Sequence, residues 1–290
     1  MKVVLSFILT SLFAPIALSQ NDVSQLLAAE NRFLSAAQKE MRSAFLTYLT
    51  PDSILFRPEA VNGMDYWQSR SMVDSEVLVR RTMFADISAN GLLGFTTGTW
   101  RLMSKGQGQG NDRYGEYVTI WVKRGNDEYR ASLDIAITHD GLHSEDSGLV
   151  KVSRKSKDLN KRGRSPADAS MDFLRMSRSD ATLGGAYEKY AADDVRLLLE
   201  GEPTILGKKK VVAEMNGYVA AGIPNQMSTF QAADLAYMWY PCDFTNNGEG
   251  LEDGNCLQIW KLRNKKWWIV LGVYAKLPNE TKPLLKTLKN

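Results

Sequence analysis

Histidine and cysteine are almost missing from this chain, with two of each in 290 residues. Both histidines, His139 and His143, fall in one short stretch, which excludes most serine–histidine–acid hydrolytic arrangements. A glycine-rich phosphate loop and a cysteine-nucleophile signature are also lacking. A large excess of either charge is lacking too. A formal net charge of +3, with no basic patch interleaved with aromatics, argues against nucleic acid as a partner. The apolar run Val3 to Phe13 is shorter than the roughly 20 residues a membrane-spanning helix needs, so no membrane span is expected there. What is present is ordinary for a globular protein: 44% hydrophobic and 24% charged residues. The length suits two domains, each large enough to bury its own core.

Residues 1–19 have the order of a signal peptide. Lys2 supplies the positive start, the short apolar run follows, and Ala17-Leu18-Ser19 offers small residues for cleavage. The protein is therefore expected to be exported, to a periplasm or beyond the cell. No cysteine lies near the cleavage site to carry a lipid. In an oxidising compartment Cys242 and Cys256 are expected to form a structural disulfide. They flank turn-rich sequence, Asn246-Asn247-Gly248 and Asp253-Gly254, and suggest a hairpin whose long loop is pinched at its base. Closing such a loop would stabilise by about 3 kcal/mol.

The chain reads as one unit written twice. Trp100 and Trp121 are separated by the same interval as Trp239 and Trp260, with a common offset of 139. The segments ending Pro51-Asp52 and Asp193-Asp194 match at an offset of 142. A repeat this long is a duplicated domain and not a short-period solenoid. In the first unit, Leu26, Leu27, Phe33, Leu34 and Ala37 form a helical stripe that starts after a capping-box pattern at Asp22 and Gln25. A second helix runs through Phe45 and Tyr48, and a third lies around Met64 to Arg70. Four strands come next: Thr82 to Ser88, Leu93 to Leu102, Tyr114 to Lys123 and Glu128 to Thr138, joined by turns rich in glycine, asparagine and aspartate. Helices first and a meander afterwards predict an α+β fold, with two tandem cone-shaped domains, each a curved antiparallel sheet wrapped around its N-terminal helices. The expected domains are 21–150 and 165–285. Between them, 151–164 carries seven basic residues against the single acid Asp158 and reads as a solvated linker.

This pattern resembles the nuclear transport factor 2-like superfamily, which includes the SnoaL-like cyclases and ketosteroid isomerases. The first unit looks like the type catalogued as domain of unknown function 4440. The resemblance is carried by the element order and by local segments: Leu55-Phe56-Arg57-Pro58, Gly94-Phe95-Thr96-Thr97-Gly98, Tyr117-Val118-Thr119-Ile120-Trp121 and Leu133-Asp134-Ile135. In the second unit they are Asp194-Val195 and Gly207-Lys208. It covers residues 21 to about 280. It implies a conical pocket between sheet and helices, lined by the residues that do the work, and it names no reaction.

Glu30 and Asp134 are the candidate catalytic residues. Glu30 interrupts the apolar helical stripe, and Asp134 shares a strand face with Arg130 and Ser132, opposite Leu133, Ile135 and Ile137. A desolvated carboxylate there could act as a base, as isomerases of the resembling fold use a strand carboxylate. It could equally be a hydrogen-bonded group or an ion pair with an arginine such as Arg57. At the repeat offsets the counterparts are Ser170 and Val273, so the second unit carries neither acid. The expected ligand-binding set is Arg57, Tyr48, Trp67, Trp100, Tyr117, Trp121 and His139, with Tyr66 among the aromatics; such aromatics serve equally as core. His139, Asp140, His143, Glu145 and Asp146 are five potential metal ligands in eight residues. Their spacing fits no standard site and the surrounding Gly141, Ser144 and Ser147 suggest an exposed loop, so no metal and no cofactor is expected.

Three functions are compatible with these readings. The first is an exported tandem-domain protein that binds a small, largely apolar molecule in the first cone. The second is a cofactor-free isomerase, dehydratase or cyclase with Asp134 or Glu30 as base. The third is a protein-interaction module. It is motivated by strands such as Tyr117 to Val122, apolar on both sides, whose two faces must be covered by the other domain, a second copy or a partner.

Overall fold

A computed structural model of the chain describes residues 23–71, 76–104, 112–124, 128–141, 151–152, 164–178, 182–224 and 227–278. The signal-peptide segment, Asp22, most of the basic linker, and His143, Glu145 and Asp146 lie outside the described residues. The fold is α+β, with two sheets each packed on its own helices.

The first domain opens with α1 (Val23–Lys39) and α2 (Met41–Tyr48), which lead into β1 (Leu49–Phe56), β2 (Ala60–Asn62) and α3 (Gly63–Ser69). The break between α1 and α2 falls at Glu40, whose carboxylate accepts from Arg42 N at 2.8 Å and Ser43 N at 2.6 Å and so caps α2. A meander comes next: β3 (Glu76–Ile87), β4 (Leu93–Ser104), β5 (Arg113–Arg124) and β6 (Glu128–Thr138), then β7 (Lys151–Val152). The strand order is β2-β1-β6-β5-β4-β3-β7. The sheet is not wholly antiparallel, because β1 pairs parallel with β6, and β7 parallel with β3. The first of these closes the sheet over α2, since β1 leaves that helix directly and lies beside the last strand of the meander. Register shifts between Thr82 and Phe84 and between Ile120 and Trp121 bend the strands around α1.

The second domain repeats this plan with α4 (Pro166–Met176), α5 (Leu183–Tyr190), β8 (Ala191–Leu199), β9 (Ile205–Leu206), α6 (Lys208–Glu214), β10 (Tyr218–Ala220), β11 (Ser228–Ala232), β12 (Leu235–Asn246), β13 (Glu249–Arg263) and β14 (Lys266–Lys276). Ser165 caps α4 in a capping box with Asp168, and Pro166 occupies the first turn, as the sequence pattern predicts. Cys242 and Cys256 form a disulfide with Cα atoms 6.0 Å apart. The bridge does not pinch a long loop. Both cysteines sit within β12 and β13, and the strands continue to a tight turn at Asn247-Gly248, where both residues have positive φ.

Register matches the halves strand by strand. Thr119 faces Asp134 and Trp121 faces Ala131; Gln258 faces Gly272 and Trp260 faces Ile269. Trp121 and Trp260 are true counterparts, packed edge-on against Phe33 and Phe173 at 6.2 and 6.4 Å. The first tryptophans are not. Trp100 pairs with Gly115 as Cys242 pairs with Gly254, whereas Trp239 pairs with Leu257 as Thr97 pairs with Val118. The equal tryptophan spacing conceals a shorter second hairpin. In the last strand the counterpart of Asp134 is likewise Gly272, one residue before the expected Val273.

Each sheet has one face on its helices and one face on the other sheet. Tyr117, Trp121, Leu55 and Ala131 point to α1 and α2, while Val118, Ile120, Leu133, Ile135 and Ile137 join Leu198, Leu257, Ile259, Leu271 and Val273 in a shared core. Phe56 meets Trp239 edge-on at 5.4 Å across this interface. The apolar character of Tyr117 to Val122 on both sides is thus accounted for within one chain.

Candidate functional site

Inside the first cone the two expected acids are buried and fully engaged. Asp134 is 1% exposed and receives both Nη atoms of Arg80, at 2.7 and 2.8 Å, while Thr119 Oγ1 donates to Oδ2 at 3.0 Å. Its cation is therefore Arg80 and not Arg57. Arg80 reaches it from β3, where it shares an inward face with Leu78, and its guanidinium lies over the Tyr117 ring at 4.3 Å. Glu30 is 0% exposed; Tyr117 OH donates to Oε1 at 2.8 Å and Thr96 Oγ1 to Oε2 at 2.6 Å. Trp121 Nε1 donates in turn to Thr96 Oγ1 at 3.0 Å. Burial pushes the Glu30 carboxyl above its usual range, opposed by these hydrogen bonds and by the charge of Arg80. The Tyr117 hydroxyl is pushed up by burial and by the Glu30 charge.

The second cone carries none of this charge. Ser170 stands for Glu30 and donates to Gln258 Oε1 at 3.1 Å; Gln258 stands for Thr119 and also accepts from Trp260 Nε1 at 3.2 Å. Gly272 stands for Asp134, and a Cβ there would lie 2.5 Å from the hydroxyl of Tyr187. The aromatic ring of α5 therefore occupies the space an acid would need.

Next to the Arg80–Asp134 pair is a cavity of about 520 Å³. Met41, Phe45, Trp67, Leu78, Trp100 and Leu102 give it apolar walls, and Trp67 stacks on Phe45 with ring centroids 4.6 Å apart. Its charged lining includes Arg57, Arg70, Arg80, Arg113 and Glu76, and the second domain adds Glu200, Ala275, Lys276 and Pro278 at the edge. Thus the site belongs to the first domain and one side of its mouth to the second.

Of the expected ligand-binding set, Arg57, Trp67 and Trp100 line this cavity. Tyr48, Tyr117 and Trp121 do not. Tyr48 and Trp121 pack on Phe33, and Tyr117 gives its hydroxyl to Glu30 and Thr82, so all three are engaged within the first domain and not at the cavity. His139 is also elsewhere: it lies in a separate depression with Asp112, Tyr114, Asp140 and Gly141, its Nε2 4.0 Å from Glu116 Oε1. Among the described residues no group of three metal-binding side chains occurs. Sequence reasoning missed Arg70 and Arg80. Arg80 shares a strand face with Leu78 and Thr82, a period-two pattern that would have extended the strand expected from Thr82.

No protein-family model and no curated protein matches the chain. Solved structures do. A nuclear transport factor 2-like protein from Cytophaga hutchinsonii aligns at 14% identity over 39% of this chain and 100% of its own, with a TM-score of 0.33. A nuclear transport factor 2-like protein of unknown function from Pseudomonas putida aligns at 16% identity over 44% and 100%, TM-score 0.32. A protein of unknown function with a cystatin-like fold from Nostoc punctiforme aligns at 14% identity over 39% and 89%, TM-score 0.32.

Proposed function

We propose that this protein is a binding module that takes a small, largely apolar molecule into the cone of its first domain. We also read its two halves as tandem domains of the nuclear transport factor 2-like type, the first of the kind catalogued as domain of unknown function 4440. One observation carries the binding reading: a cavity of about 520 Å³, with aromatic and aliphatic walls and a charged lining, lies beside, and not against, the two buried acids. Neither Glu30 nor Asp134 lines it, and both oxygens of each acid already accept hydrogen bonds. A cofactor-free isomerase, dehydratase or cyclase would need one of them to face its substrate with a free lone pair. The interaction-module reading loses its motive, because the second faces of the two sheets cover each other.

Export supports the same picture: the Cys242–Cys256 disulfide suits an oxidising compartment, and no described helix is long and apolar enough to cross a membrane. N-terminal sequencing of the exported protein should begin within a residue or two of Gln20; a sequence starting at Met1 would remove the export reading. For binding, a thermal-shift screen of the mature protein against hydrophobic metabolites tests the proposal. A ligand present at a hundredfold excess over Kd stabilises by roughly 2.7 kcal/mol, enough for a clear rise in Tm. Trp67→Ala should abolish the response, and turnover without added cofactor would instead favour the enzyme.

A further inference from the structure

Building on the binding reading above, we infer the chemical class of the ligand. It is an organic monoanion, an aryl or alkyl carboxylate whose head is held by Arg57 and Arg70 at the cavity mouth and whose apolar body lies against Trp67, Phe45 and Leu78.

The cations lining the cavity divide into two groups. Arg80 is held by Asp134, Arg113 reaches Glu76 at 3.1 Å, and Lys276 reaches Glu252 at 2.6 Å. Arg57 and Arg70 have no such carboxylate among the described residues. Arg57 donates from Nη1 to Phe56 O at 2.7 Å, and Arg70 from Nη1 to Tyr66 OH at 2.7 Å. A guanidinium has five N–H donors in a planar fork, so each retains donors for an incoming oxyanion. Their positions are set by a common ring. The Arg57 and Arg70 guanidinium carbons lie 5.6 and 5.0 Å from the Tyr66 centroid, on the helix that also carries Trp67.

The one acid of the lining with no cation beside it among the described residues, Glu200, accepts from Thr138 N at 2.9 Å and from the Thr138 hydroxyl. The combination of leftover guanidinium groups at the mouth and stacked aromatics within fits a molecule charged at one end only.

The test uses the full mature protein and two probe pairs: 4-phenylbutyrate with 4-phenylbutyramide, and octanoate with octanamide. Binding is followed by calorimetry and by the fluorescence of the lining tryptophans. The acids should bind at least about tenfold more tightly than their amides, the size expected for one charge-assisted contact. Their affinity should fall as salt is raised. In Arg57→Gln and separately in Arg70→Gln, each checked for a native circular dichroism spectrum, the acid–amide difference should shrink or vanish. Equal binding of acid and amide by the unaltered protein would overturn the anion assignment and leave the binding reading standing. No binding of either member of either pair would overturn this inference and the binding function together.

Discussion

At the residue scale, the informative side chain is Asp134, for a reason its own sequence context does not disclose. Alternation with Leu133 and Ile135 put it on the strand face opposite those residues, and the structure turns that face toward the helices. Its role is decided by Arg80, far away in sequence, which takes both carboxylate oxygens. Asp134→Asn should leave a buried guanidinium without its counter-charge and destabilise the protein by about 3–5 kcal/mol in urea unfolding. Replacing both partners, with Arg80→Met and Asp134→Leu, should recover most of that loss, because well-packed apolar groups often equal a buried pair. A single Asp134→Asn change that leaves stability untouched would contradict the ion-pair role. Glu30 behaves differently. Its folded-state pKa is raised above 4.5 by burial, so the folded chain holds this proton more firmly than the unfolded one. Stability then falls as pH rises from about 4.5 through the folded-state value, since the slope is set by protons bound unfolded minus folded. Glu30→Gln should flatten that part of the stability–pH curve, and an unchanged curve would argue that Glu30 is not desolvated.

At the element scale, the helices, the meander and the capping of α4 were legible because each is a local signal: periodicity, turn residues, or a Ser-Pro pair before an acid. What was not legible depends on register. Two equal tryptophan intervals suggested a strict correspondence, yet only Trp121 and Trp260 share a position, since hairpin length differs between the halves. The same limit hid Arg80. Its strand runs as a single twelve-residue element, while the corresponding region of the second half is divided into β10 and β11. Cavity-lining aromatics could not be told from core aromatics by position either. Trp67 and Trp121 are both buried, but of the two only Trp67 lines the cavity. The disulfide illustrates the converse: the pairing was readable from the turn-rich sequence between the cysteines, whereas its place inside a continuous hairpin was not.

At the scale of the whole molecule, the two sheets are joined by more than apolar contact. Lys261 of β13 is buried between the domains and reaches Asp86 Oδ1 at 3.1 Å, Ile87 O at 2.8 Å and Asp234 Oδ2 at 3.3 Å. Asp234 Oδ1 also accepts from Ala89 N at 2.6 Å, across the same interface. Polar ties of this kind need one relative placement of the sheets, because a shift would strand buried charges. Asn255 Nδ2 donating to Pro58 O at 2.9 Å and Thr204 N to Glu116 Oε1 at 2.9 Å add further points of attachment. The basic stretch between Lys151 and Arg164 remains the expected site of first cleavage by trypsin, since its lysines and arginines are dense and its sequence offers little to bury. The interface decides whether the halves part once that stretch is cut. The two fragments should stay together on gel filtration and melt in one transition, because the shared core and the Lys261 cluster do not depend on the connecting chain. Lys261→Met should weaken that association by leaving two buried carboxylates facing each other, so the nicked variant should separate under conditions where the nicked parent does not. Fragments of the parent that separate at once would mean that the covalent link, and not the packed sheets, holds the halves in place.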